Sequence, residues 1–123
     1  DYGDSLRFGA STGAEDERDL SKISFDLTYF EAYTDAFLAE LGSTITPREV
    51  ELLPFSAKLL TLECGMRFLT DHLNGDTYFR IHRENHNLDR CRTQFKLIAD
   101  MEGKMDQMAA IVARCCKAYG IGK

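Results

Sequence analysis

The sequence predicts an all-α protein, a helical bundle of about four helices closed by one long C-terminal helix, and three observations carry that expectation. Apolar residues recur at steps of three and four over most of the chain beyond residue 26. Helix starts and stops stand where that period begins and ends, as at Thr46-Pro47 and Asn74-Gly75. No segment shows the alternating pattern of a half-buried strand. With 123 residues and 44% hydrophobic content, the chain is long enough to bury one core.

Residues 1–21 have no sustained period. Gly3, Gly9 and Gly13 punctuate them, and a charged run follows, Glu15-Asp16-Glu17-Arg18-Asp19. The segment reads as a loop with a solvated acidic surface, and its small, polar opening reads as the continuation of a longer polypeptide. From Leu27 the apolar positions Phe30, Phe37, Leu38 and Leu41 mark a first helix, with Ser24 or Asp26 as its cap and Gly42 as its stop. Thr46-Pro47-Arg48-Glu49 is a capping box with proline at the first helical position, so another helix starts at Pro47.

Pro54 lacks an amide hydrogen, which predicts a break there and a restart at Phe55. From Phe55 to Leu73 apolar residues cover more than half the circumference, as expected of the central and most buried helix. Asn74-Gly75 ends it. Residues 76–86 then form a connector that Tyr78, Phe79 and Ile81 can anchor. From Leu88 to Tyr119 the apolar series through Cys91, Phe95, Ile98, Met101, Met105, Met108 and Val112 predicts one long amphipathic helix. Gly103 interrupts its solvent side, and the methionines serve as adaptable core filler.

Charge and composition exclude several functions. A formal charge of −5 leaves no basic stripe for a phosphate backbone, so nucleic acid is not an expected partner. No apolar run is long enough to span a bilayer and no leader opens the chain, so a cytoplasmic location is the default expectation. Cys64, Cys91, Cys115 and Cys116 lie in helical segments without disulfide or zinc spacing and read as reduced thiols. His82 and His86 are four apart but lack a third ligand, and none of the three histidines has an evident nucleophile beside it. The residues thus give no metal site and no catalytic triad. Arg67 is more informative, because a guanidinium in so apolar a helix must be paired or used. Asp71, one turn away, is its natural structural partner, and ligand binding is the alternative.

The stretches DYGDSLRFGASTGAEDE, LPFSAKLLTLECGMRFLTDHLNGDTYFRIH and NLDRCRTQFKLIADME resemble the C-terminal part of bacterial sugar kinases of the aminoglycoside-phosphotransferase type, the N-acetylhexosamine 1-kinases above all. The resemblance runs from Asp1 to about Ala113, and Gly65 to His82 is its most distinctive segment. Some relatives carry the name mucin-desulfating sulfatase, yet nothing in the chain resembles the sulfatase nucleophile motif.

The resemblance implies the helical C-terminal subdomain of a protein-kinase-like fold. Residues 1–21 would then follow the active-site strand, and residues 22–123 would bind the acceptor sugar. In such an enzyme the γ-phosphoryl of ATP, with Mg2+, passes to the anomeric hydroxyl of an N-acetylhexosamine. The resemblance places the glycine-rich loop, the catalytic aspartate and the metal-binding aspartate in a nucleotide-binding lobe and strand that precede these residues, so the chain alone is expected to be inactive. Asp1-Tyr2-Gly3 looks like the DFG triplet of protein kinases, but the family's metal ligand lies further upstream; Asp1 and Asp4 would instead fix the local backbone. On the sugar side the resemblance points to Asp4, Arg7, Arg67, Tyr78 and Arg80, whose fixed donors and ring suit hydroxyl and acetamido groups. A rival expectation is a free-standing helical interaction module that pairs with another protein or a second copy through its long helix and methionine seam.

Overall fold

A computed structural model describes residues 2–121, so Asp1 and its expected role lie outside the described residues. The fold class is as the sequence predicts: about 70% of the chain is helical and no strand forms among the described residues. In chain order the helices are α1 (Tyr2–Gly9), α2 (Leu27–Leu41), α3 (Pro47–Glu51), α4 (Leu53–Leu73), α5 (His86–Glu102) and α6 (Met105–Tyr119), with a 3-10 turn at Leu20–Lys22.

The first departure from the sequence reading is α1. Residues 2–9 are helical although glycines stand at both ends, because tertiary contacts outweigh their poor propensity. Tyr2 and Leu6 are buried. The Tyr2 hydroxyl bonds Thr34 Oγ1 on α2 at 2.7 Å, and its ring lies 4.8 Å from that of Phe37. Gly3 lets α1 sit against α4: a Cβ there would come within 2.6 Å of the Ser56 carbonyl oxygen. After α1 the chain doubles back, with Thr12 N–H donating to Ser24 O and Asp26 N–H to Ala10 O.

Helix α2 begins and ends as its caps predict. The Asp26 carboxylate accepts the amides of Thr28 and Tyr29, and Gly42 closes the helix. The capping box at Thr46 and Glu49 forms reciprocally. The expected break near Pro54 comes two residues earlier. Leu52 ends α3 and starts α4, which leaves Pro54 in the first turn, where its missing amide costs nothing.

The predicted long C-terminal helix is two helices. Gly103 caps α5, and Lys104 Nζ donates to Phe25 O at 2.8 Å and to Asp100 Oδ2 at 2.6 Å. Asp100 also accepts the Phe25 amide at 2.6 Å, so this corner is clamped to the chain entering α2. The turn sends α6 onto α2, while α5 and α1 pack on α4. An uninterrupted helix could not reach both neighbours.

The core lies where these layers meet. It contains Leu6, Phe25, Phe30, Leu38, Leu97, Met101, Met108 and Val112. Each such side chain contributes about 1.5–3 kcal/mol by leaving water. Helix α4 is not the most buried one, contrary to its composition. Nine residues of α5 are buried against seven of the longer α4. Leu52, at the entry to α4, and Phe55, Leu59, Leu62, Met66 and Leu73 along it are each between 38 and 74% exposed. Among the described residues no helix is long and apolar enough to cross a membrane.

Candidate functional site

Helix α1 carries Asp4 and Arg7 on one face because they are three residues apart. The Arg7 guanidinium donates through Nε to Asp4 Oδ1 at 2.9 Å and through Nη1 to Glu15 Oε2 at 2.6 Å. Gln94 Oε1 on α5 lies 3.4 Å from the same Nη1. Burial opposes the charge on Arg7, but the hydrogen bonds to Glu15 and Asp4 outweigh it and raise its pKa above the ordinary value.

Glu15 comes from the acidic run read as solvated surface, and the structure corrects that reading. Glu15 pairs with Arg7, while Asp16 accepts from Arg83 Nη1 at 3.2 Å and meets His86 Nε2 at 2.8 Å. Arg83 also binds Asp89 at 2.9 Å, so the run is clamped to the start of α5. The His86 contact, then the Arg83 contact, holds the Asp16 carboxyl below the usual carboxylate range. His86 Nδ1 accepts the amide of His82 at 3.1 Å, so both ring nitrogens are engaged and neither serves a nucleophile. Among the described residues no three His, Cys, Asp or Glu side chains converge as a metal-ligand set.

Arg67 does not pair with Asp71. Asp71 is buried and faces the connector, where Oδ1 accepts the amides of Thr77 at 3.1 Å and Tyr78 at 2.8 Å. Oδ2 accepts the amide of Phe79 at 3.0 Å and Asn87 Nδ2 at 2.7 Å. Burial alone would raise the Asp71 pKa; the amides of Phe79, Tyr78 and Thr77 together with Asn87 lower it below the ordinary value. One carboxylate therefore folds the 76–80 segment around itself. Two backbone residues with positive φ, Gly75 at 92° and Asp76 at 60°, reverse the chain toward it.

Freed from Asp71, the Arg67 guanidinium lies over the rings of Tyr78 and Phe79, 5.7 and 5.5 Å from their centroids. Phe79 is seated on Phe68 at 4.8 Å, as the anchoring expectation had it, whereas Tyr78 is 74% exposed and meets Phe79 edge-on at 4.9 Å. Arg90 stacks over the other ring of this pair, Phe68, at 5.7 Å. Its Nη1 donates to Arg80 O at 3.1 Å and Asn87 Oδ1 at 3.0 Å.

These parts enclose a groove of about 470 Å3 that Asp4, Arg7, Arg67 and Arg80 line together, with Glu15, Phe79 and Arg90 beside them. Tyr78 falls in a neighbouring hollow of about 330 Å3 on the other side of Arg67. Cys64 also borders the main groove, and burial, partly offset by Arg7, raises its pKa and keeps it a neutral thiol. The arrangement offers forked donors, carboxylate acceptors and aromatic faces at once, the combination that holds a small polyhydroxylated molecule.

Sequence reasoning missed Glu15, Phe79 and Arg90 at this groove. Glu15 lay hidden in a charge run, and Arg90 in the predicted single C-terminal helix, whose other arginines, Arg92 and Arg114, gave no reason to prefer it. The one available signal was local: Phe79 and Arg80 sit in the most distinctive segment of the sequence. Compared with models of known protein families, the chain matches none.

Proposed function

We propose that the chain forms the acceptor-binding part of an ATP-dependent sugar kinase that phosphorylates the anomeric hydroxyl of N-acetylhexosamines. The observation that carries this reading is the convergence of Arg7, Arg67 and Arg80 with Asp4 in one groove floored by aromatic rings. Guanidinium forks donate to ring hydroxyls and an acetamide carbonyl, Glu15 and Asp4 accept from hydroxyls, and Phe79 or Tyr78 meets the apolar face of the sugar.

ATP and Mg2+ would be held elsewhere, in the nucleotide-binding lobe of the intact enzyme. The groove's own chemistry does not suit Mg2+, which takes carboxylates and water, because its two carboxylates are both engaged by Arg7. The chain by itself is expected to transfer no phosphoryl group. In the intact enzyme, Arg7→Ala should lower kcat/KM for N-acetylhexosamine by at least tenfold, about 1.4 kcal/mol of transition-state binding. An unchanged value would remove Arg7 from the site, and inactivity of the intact protein against a panel of hexosamines with ATP and Mg2+ would reject the kinase reading.

A second reading, a helical interaction module that pairs two copies, loses the expected methionine seam of one long helix, since that helix is divided and Met101 and Met108 are buried in the core, but a different face favours it. Leu52, Phe55, Leu59, Leu62, Met66 and Leu73 repeat at steps of three, four, three, four and seven along the exposed face of α4. That repeat has the three-four spacing of a coiled-coil seam. Sedimentation equilibrium decides: a dimer with no sugar binding supports the module, and a monomer at all concentrations removes it.

A further inference from the structure

The protein is acidic overall, with 15 lysines and arginines against 20 carboxylates, yet the groove collects four arginines and two carboxylates. Both carboxylates are committed to one cation, because Asp4 and Glu15 each bond Arg7. The other three guanidiniums, of Arg67, Arg80 and Arg90, form no ion pair among the described residues. Arg67 rests on the rings of Tyr78 and Phe79. Arg90 rests on Phe68 and donates to the neutral oxygens Arg80 O and Asn87 Oδ1.

Three like charges that share one concavity repel one another, and the neutral partners of Arg67 and Arg90 orient those two without cancelling that repulsion. Solvent screens that repulsion in part, and an anion bound among the three relieves it directly. A neutral sugar satisfies donors but leaves the field uncompensated, whereas a phosphate monoester brings two charges and three acceptor oxygens that match guanidinium forks. Orientation by rings and carbonyls lowers the ordering cost of binding. A groove of about 470 Å3 suits a monosaccharide phosphate.

We propose that this groove binds a phosphorylated monosaccharide, with Arg67, Arg80 and Arg90 holding the phosphate. The inference rests on the same groove as the acceptor-site reading and deepens it: the site holds the phosphorylated sugar more tightly than the free sugar, which makes product release a slow step in the intact enzyme.

Calorimetric titration of the 123-residue chain tests it with N-acetylglucosamine 1-phosphate, N-acetylglucosamine and inorganic phosphate at low and high salt. The sugar phosphate should bind at least about tenfold more tightly than either component, and the advantage should shrink as salt screens the charges. Arg67→Gln and Arg80→Gln, both at exposed positions, should each abolish the advantage while circular dichroism stays unchanged. Arg48→Gln, an exposed arginine of α3 paired with Glu51 away from the groove, should keep it.

Equal, salt-insensitive binding of the neutral sugar would overturn the phosphate site and leave the acceptor reading standing. Inorganic phosphate binding as tightly as the sugar phosphate would overturn the saccharide part, and loss of the advantage in Arg48→Gln would reduce the effect to net charge and overturn the site. Tight sugar-phosphate binding by a protein whose intact form phosphorylates no hexosamine would support this site and sink the kinase reading.

Discussion

Asp71 shows how one side chain can organise a functional surface that it does not enter. By accepting three connector amides and the Asn87 side chain, it fixes where Tyr78, Phe79 and Arg80 stand, and it leaves Arg67 to the aromatic rings. Its folded-state pKa is lowered, so the stability it contributes is present above the unfolded aspartate value of about 3.9 and is lost as pH falls through the folded value. Thermal melts of the native chain and Asp71→Asn across pH should therefore show the native protein's advantage greatest near neutrality and absent well below that unfolded value. A constant advantage at all pH would contradict the charge assignment. Sequence alone offered Asp71 as the ion-pair partner of Arg67, which helical spacing permits. It could not reveal that a segment six to eight residues later competes for the same carboxylate, and three backbone donors satisfy a buried carboxylate better than one mobile cation does.

At the scale of elements, α1 lies so near α4 that only a glycine fits between them. Gly3 has no room for a Cβ because the obstacle is the Ser56 carbonyl oxygen at 2.6 Å, a backbone atom that cannot swing away. Gly3→Ala should accordingly cost about 1–3 kcal/mol in urea unfolding, despite the better helix propensity of alanine. Because α1 carries Arg7, the same substitution should weaken ligand binding at the groove. A stability gain would mean that α1 does not pack as described. The corner between α5 and α6 follows a similar logic: Gly103 permitted a break, and the clamp of Asp100 and Lys104 on Phe25 makes one. Periodicity could not locate that corner, since the apolar series keeps its three-four step straight through it.

For the whole molecule, the exposed apolar face of α4 is the feature with the largest consequence. Six large apolar side chains in register on one helix are more than scattered surface hydrophobics, and they favour association. If two copies pair through this face, Leu59→Glu or Leu62→Glu should weaken the dimer by more than tenfold, because each copy forfeits about 1.5–3 kcal/mol of side-chain burial. Sedimentation of the native and substituted chains measures this, and an unchanged dimer would place the interface elsewhere. The groove and this face share α4, with Arg67 beside Met66, so added N-acetylhexosamine 1-phosphate reports whether pairing and ligand binding interfere.

The sequence by itself determined the helical class, the caps of α2 and α3 and the turn at Asn74-Gly75, because caps, turns and periodicity act within a few residues of chain. Tertiary structure decided the helicity of residues 2–9, the division of the C-terminal helix, the partners of Asp71 and of the acidic run, and which face of α4 is left uncovered. Those outcomes depend on groups far apart in sequence competing for the same atoms and the same space, and composition and spacing carry no record of who wins.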